Sequence, residues 1–294
     1  MTKPDLSIII ATHNSEDLIK RCIDSLTSQT YQREKFEIIV VDDGSKDQSV
    51  RISKESGADK IIEVNPCSLA LARNLGVENS TANFLAFIDS DCEAKPRWVE
   101  NIIKELKNFQ AISGPIHNGN PHSRVAWAEY FIEFGGFHEY RKKGKIRFLP
   151  GCNGACTKEV FTKSGGFTDL RASEDVLFGE SLRKAGVGAF FIPYIEINHL
   201  CRTELDKLES NMKLLGRYFV RTRKQAPQIP YASLIRSRFF LPLIFLSKII
   251  FSAKYAMKAK KATKFISCFP YLVLGISSFC KGISIELRQN SNSQ

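Results

Sequence analysis

Two carboxylates separated by one residue, Asp89-Ser90-Asp91, close the apolar run "NFLAFIDSDC" at 83–92. Oxygen ligands at that spacing suit a hard divalent cation such as Mg²⁺ or Mn²⁺. A cation there would hold a diphosphate and neutralise the charge that develops as it departs. A polar turn that merely ends a strand is the plainer reading of the same residues. A second acid pair, Asp42-Asp43, ends the run "FEIIVVDDGS" at 36–45, just ahead of Gly44. A third, Glu174-Asp175, stands at the head of the helix-like stretch "SEDVLFGESLRKAG" at 173–186.

The elements between these acids decide whether they meet. "LSIIIAT" (6–12) is a β-branched strand that stops at the polar cluster His13-Asn14-Ser15. Leu18, Cys22, Ile23 and Leu26 then recur at helical spacing. The strand at 36–45 is followed by helical 46–56, a short strand at 59–64, helical 68–79 and the strand at 83–92. Such alternation specifies a mostly parallel sheet covered by helices on both faces. Right-handed crossovers place the strand C-termini along one edge, where open α/β sheets bind ligands. The acids at 42–43 and 89–91 fall on that edge and are expected to share one pocket. Further on, "FLPGCNGACTKEVFTKSGGF" (148–167) reads as strand, turn, short helix and glycine turn. In 173–186, Ser173 is the expected N-cap and Gly186 the expected C-cap. Extended structure resumes at 187–199. Trp127, Tyr130, Phe131, Phe134 and Phe137 lie in an aromatic helical stretch. Core packing is the preferred reading there, over a platform for an acceptor.

The net charge of +11 is unevenly spread. Residues 1–199 hold 25 Lys/Arg and 27 Asp/Glu, whereas 200–294 hold 17 and 4. The basic excess is interleaved with apolar segments, which suits an anionic membrane surface and argues against a nucleic-acid partner. Eight cysteines form no CxxC pair, so neither a zinc site nor a redox dithiol is read, and reduced cytosolic thiols are expected. The N-terminus enters directly into a strand-like run, with no secretory signal.

Taken jointly, "SIIIATHNS", "CIDSLTSQTY", "FEIIVVDDGSKDQS" and "LARNLGVENSTANFLAFIDSDCEAKPRWVE" resemble glycosyltransferase family 2 enzymes of the GT-A fold, over residues 5–200. The resemblance implies inverting transfer from a UDP-, GDP- or TDP-linked sugar with Mg²⁺ or Mn²⁺. It places Thr12, His13 and Asn14 beside the nucleotide base, with His13 where many members have an aromatic residue. It assigns Asp42 and Asp43 to the base edge, since amide donors need an acceptor-only partner. Arg73 and Asn74 would line the diphosphate, where a guanidinium can take two oxygens at once, and Ser90 would lie with the nucleotide. Asp89 and Asp91 match the metal motif. Glu174-Asp175 matches the acceptor-side acid pair, with Asp175 as the base that takes the acceptor hydroxyl's proton. Without the resemblance, that pair reads as helix-dipole residues. Several GT-A enzymes supply a late histidine to the metal, and His199 stands at that place; a structural histidine is the equal alternative.

"FFLPLIFLSKIIF" (239–251) and "FISCFPYLVLGISSFC" (265–280) are the most apolar stretches, and neither reaches the roughly 20 residues of a spanning helix. Lys254, Lys258, Lys260, Lys261 and Lys264 lie between them. A hairpin in or dipping into the inner leaflet keeps those lysines at the headgroups. The expected fold is therefore α/β: a GT-A, Rossmann-like, mostly parallel sheet flanked by helices (1–228), then a membrane-associated helical region (229–294). The expected activity is glycosyl transfer to a saccharide or lipid-linked acceptor, at the cytoplasmic face of a membrane, with peripheral or re-entrant attachment through 234–282. A non-catalytic nucleotide-sugar-binding scaffold and a sugar-nucleotide nucleotidyltransferase are the alternatives. The latter needs a glycine-rich loop after the first strand, and "ATHNSED" has no glycine.

Overall fold

The computed structural model describes residues 3–291, so the outermost residues of the two expected regions, 1–2 and 292–294, lie outside it. The chain divides into two compact units, one of residues 1–116 with 142–199, the other of 117–141 with 200–294. The expected boundary at 228/229 thus falls inside the second unit. The long helix at 205–225 clusters with the C-terminal helices because its apolar face packs against them.

The first unit is α/β. Its strands are β1 (Leu6–Thr12), β2 (Phe36–Asp42), β3 (Lys60–Glu63), β4 (Phe84–Ile88), β5 (Cys92–Ala94) and β6 (Ala111–Ser113). After β7 (Ile116–Asn118), at the border of the two units, come β8 (Gly144–Ile146), β9 (Asn153–Thr157), β10 (Ala189–Phe191) and β11 (Ile197–His199). Eight of them form one sheet in the order β3-β2-β1-β4-β9-β6-β10-β8. The β3-β2-β1-β4 half is parallel, while β9 runs antiparallel between β4 and β6. Every residue of β1 and β2 is buried. That is why they read as unbroken β-branched runs: each fully buried Ile or Val contributes roughly 1.5–3 kcal/mol.

Helices α1 (Ile19–Thr27), α2 (Ser49–Glu55), α3 (Leu69–Glu78) and α4 (Trp98–Leu106) connect these strands. α5 (Arg124–Glu133) belongs to the second unit; α6 (Lys158–Ser164) and α7 (Glu174–Lys184) return to the first. α3 lies close on the sheet: a Cβ at Gly76 would stand 2.5 Å from Cγ2 of the fully buried Ile9. Gly76→Ala is therefore expected to destabilise the protein by about 1–3 kcal/mol despite alanine's better helix propensity. Urea unfolding would read this as a lowered midpoint at unchanged slope, and a stabilised variant would contradict it. Ser173 precedes α7 as expected but does not cap it. Its φ of +61° puts it in the left-handed region, and its side chain makes no capping bond. The Asp175 carboxylate instead accepts from the backbone N–H of Val176 at 2.8 Å. Gly186 has the positive φ, +80°, that ends the helix.

The second unit is helical, formed by α5 with α8 (Leu205–Gln225), α9 (Leu241–Lys258) and α10 (Ala262–Ser291). Trp127, Tyr130 and Phe131 are buried in its core among Met212, Leu272 and Ile276. α8 and α10 cross with backbones in contact. A Cβ at Gly216 would stand 2.0 Å from the Phe279 carbonyl oxygen, and one at Gly282 2.1 Å from that of Lys213. Both apolar helices outrun the apolar stretches seen in the sequence. Arg238–Lys258 and Ala262–Gln289 are long and apolar enough to cross a membrane, a test that buried core helices also pass. On α9, Leu243, Leu246, Ile250 and Met257 recur at helical spacing and are at least half exposed, and Phe239 just before the helix is 83% exposed.

Candidate active site

The C-terminal ends of the parallel strands set the site. Register pairs Thr12 with Asp42, and the Asp43 N–H donates to the Thr12 carbonyl at 2.8 Å, so the loops after β1 and β2 leave the sheet side by side. Asp42 Oδ2 accepts from Ser45 N–H at 2.9 Å; Asp43 Oδ1 accepts from Cys67 N–H at 2.5 Å. His13 Nδ1 lies 2.7 Å from the Asp43 carbonyl oxygen, and Asn14, at φ +48°, accepts from Lys46 N–H through Oδ1 at 2.8 Å. Thr12 Oγ1 and Asp42 Oδ1 are buried without a hydrogen-bond partner among the described residues. Orphaned polar atoms of this kind cost roughly 1–3 kcal/mol each and mark a place where polar groups are kept for a reason other than stability.

From β4 the chain enters Asp89-Ser90-Asp91, a tight turn closed by Cys92 N–H donating to the Asp89 carbonyl at 3.0 Å. Ser90 Oγ donates to Ser15 Oγ at 3.0 Å, tying this turn to the loop after β1. Arg73, on α3, is 2% exposed and joins two of the acid groups. Its Nη2 meets Asp89 Oδ1 at 2.5 Å, and its Nη1 bonds the Glu174 carboxylate at the start of α7. Burial acts against the guanidinium's charge, but the Asp89 and Glu174 carboxylates outweigh it and hold it protonated. The backbone at Gly151 closes over this group, since a Cβ there would lie 2.9 Å from Nη2. Asn74 uses both ends of its amide on Phe167, donating to its carbonyl at 2.8 Å and accepting from its N–H at 3.0 Å. As it stands, Asn74 clamps α3 to the turn after α6, and Arg73 bridges two carboxylates.

Asp175 follows Glu174 on α7 and is half-buried. Its carboxyl is pushed up to about 7, first by burial and then by the neighbouring Glu174 charge, with Arg73 and the Val176 N–H acting the other way. An acid with that value is poised to take a proton near neutral pH. At the other end of the turn, β5 pairs antiparallel with β11, setting His199 opposite Cys92. His199 Nε2 then lies 3.6 Å from Asp91 Oδ2, 108 positions apart in the chain.

Residues 7–165 match the family model for glycosyl transferase family 2. The chain belongs to that family. Among its relatives is the glycosyltransferase AglE of Haloferax volcanii, 31% identical over 198 residues, or 65% of either chain. Another, from the same organism, is a glucosyl-dolichyl phosphate glucuronosyltransferase, 25% identical over 180 residues, or 55% of either chain. The chain thus spans less than two thirds of these relatives' lengths. Of solved structures, the mannosyltransferase PcManGT from Pyrobaculum calidifontis, in complex with GDP-Man and Mn²⁺, shares the fold. Its TM-score is 0.66 at 16% identity, over 99% of this chain and 88% of that one. S. aureus TarS 1–349 with UDP-GlcNAc gives 0.56 at 14%, over 97% and 92%. The mixed α/β sheet flanked by helices is thus a GT-A fold.

The donor set of this family 2 chain suits a divalent cation. Ligand atoms of Asp91, Cys92 and His199 lie within 4.8 Å of one another. Burial, the Cys152 side chain and the Asp91 charge raise the Cys92 thiol well above its usual range and keep it protonated. That leaves a carboxylate and an imidazole as the pair that fits such an ion, while Asp89, two residues before Asp91 on the same turn, has its Oδ1 on Arg73. Cys92 escaped sequence reasoning because a lone cysteine after a strand carries no signal; only the β5–β11 pairing puts it there.

Proposed function

We propose that this chain moves a sugar, with inversion, from a nucleoside-diphosphate donor to a hydroxyl of a lipid-linked or growing cell-surface glycan. One observation carries the reading. Arg73 ties the Asp89-Ser90-Asp91 turn to the Glu174-Asp175 pair, so the donor-side and acceptor-side acid groups meet through one buried guanidinium. Asp175, half-buried and raised to about 7, takes the proton of the acceptor hydroxyl as that oxygen attacks the anomeric carbon. Arg73 engages the Glu174 and Asp89 carboxylates, leaving Asp175 outside that bridge. The loops carrying Thr12, His13, Asn14, Asp42 and Asp43 form the wall for the nucleotide. Asp89, Asp91 and His199 would hold Mg²⁺ or Mn²⁺, which when bound neutralises the departing diphosphate. Solved structures of the same fold in complex with GDP-Man and with UDP-GlcNAc, and a relative named a glucosyl-dolichyl phosphate glucuronosyltransferase, support a donor and an acceptor of these classes.

The helical unit holds the enzyme at the cytoplasmic face of a membrane through residues 234–282. The exposed apolar row on α9 and the lysines that follow it support this placement, since apolar side chains seat in the headgroup boundary and lysines in the phosphates. A panel of nucleoside diphosphates with and without Mn²⁺ tests the donor site by thermal shift. One nucleobase together with Mn²⁺ should raise the melting temperature above either alone, about 2.7 kcal/mol of stabilisation at a hundred times Kd. Unchanged melting across UDP, GDP and TDP with either metal would remove the proposal.

A further inference from the structure

A cavity of about 880 Å³ lies wholly within the helical unit and shares no residue with the acidic site. Its walls include Arg223, Lys224, Arg236 and Arg238, with Tyr231 and Leu287. We propose that this cavity binds the headgroup phosphate of a membrane lipid and so fixes the enzyme's seat on the bilayer. The inference rests on the membrane reading above and goes beyond it, naming a built site and its ligand in place of diffuse attraction.

Cationic side chains around one space repel one another, and acids are scarce near this one. No Asp or Glu occurs from residue 210 to 285, a stretch holding 14 Lys/Arg. Glu286, next to the lining Leu287, is taken by Arg217 at 3.2 Å and Arg221 at 2.8 Å. Lys224, Arg236 and Arg238 are exposed and make no ion pair among the described residues. Arg223 is held in place instead of waving in solvent. Its Nε donates to the Pro230 carbonyl at 2.8 Å, its Nη1 to that of Phe219 at 3.1 Å, and it stacks 3.3 Å over the Phe219 ring. Arginine in such a fixed fork is suited to phosphate oxygens. Tyr231, in the same wall, sits at φ +70°, a conformation a bulky residue adopts only when the surroundings impose it.

The apolar row decides for a lipid over a soluble anion. Phe239 directly follows Arg238 in the chain and is 83% exposed; Leu243, Leu246 and Ile250 continue the row along α9. One short segment thus offers cations for a phosphate and then apolar side chains for acyl tails. Several cations around one site favour a dianionic phosphate monoester over a monoanion of another class.

The full chain should be tested by co-sedimentation with phosphatidylcholine vesicles carrying phosphatidic acid or, at matched charge, phosphatidylserine. The wild type should prefer phosphatidic acid on the order of tenfold. R236A/R238A should abolish that preference, whereas K254A/K258A, the same loss of charge on exposed lysines of α9, should weaken binding to both vesicles and leave the preference intact. Equal binding to the two vesicles, or a preference that survives R236A/R238A, would overturn the cavity while leaving membrane attachment standing. Binding to neither vesicle would overturn both. A thermal shift by inorganic phosphate that disappears in R236A/R238A, without any lipid preference, would assign the cavity to a soluble anion and overturn the lipid.

Discussion

Asp175→Asn is expected to slow glycosyl transfer by about 10²–10⁴-fold, the usual contribution of a positioned general base. The change keeps the shape of the side chain, and an asparagine oxygen can still accept from the Val176 N–H, as the carboxylate does at 2.8 Å. The amide cannot take a proton, so the acceptor oxygen must attack as a neutral hydroxyl. Melting-temperature shifts with nucleoside diphosphate and Mn²⁺ should match the wild type, because the role proposed for Asp175 is on the acceptor and not on the donor. In the wild type the pH profile should report the same residue. Burial foremost, then the Glu174 charge, raises this carboxyl to about 7, against the pull of Arg73 and the Val176 N–H. Below that value Asp175 is protonated and inactive, so kcat/KM should fall about tenfold per pH unit on the acid side and level off above it. In Asp175→Asn the residual rate should lose that limb. A fully active variant, or one that keeps the limb, removes Asp175 from the role of base.

Arg73→Met should be the most destabilising change at the site, by about 3–5 kcal/mol. The guanidinium is 3% exposed in its side chain and answers Asp89 on one arm and Glu174, 9% exposed, on the other. Methionine fills similar volume, so the loss is not chiefly a cavity; it comes from stranding two carboxylates that have no other cation in an ion pair among the described residues. Adding Glu174→Gln should recover part of the deficit, since a neutral amide costs less to bury than an unpaired charge. A double-mutant cycle by urea denaturation would put the coupling of the two at about 0.5–3 kcal/mol. Activity should fall as well, because the turn holding Asp89 and the helix holding Asp175 lose their common tie. A variant as stable as the wild type would show that the bridge is not structural.

The alternation of strands and helices was legible because it is local. A run such as "LSIIIAT" can be buried on both faces only as an interior strand, and β1 is buried throughout. The acids that halt β2 and β4 were legible for the same reason: polar residues end a buried strand at its edge, and crossover handedness puts those edges together. The glycine that ends α7 carried its own signal. Ser173 carried a misleading one, because capping depends on a backbone angle that a residue type does not fix.

The sequence by itself determined that a parallel sheet would carry acids along one edge, and that basic charge would gather beside apolar helices. Periodicity and composition suffice for both. Only the tertiary structure decided which partners those residues found. Arg73 reaches Glu174 across 101 positions, His199 comes to Asp91 through a pairing of two three-residue strands, and Asn74 closes on the backbone of Phe167. It also decided that α8 joins the helical unit, through backbone contact at Gly216 and Gly282. Each of these depends on register and close packing between segments far apart in the chain, and side-chain period along one segment holds no information about that.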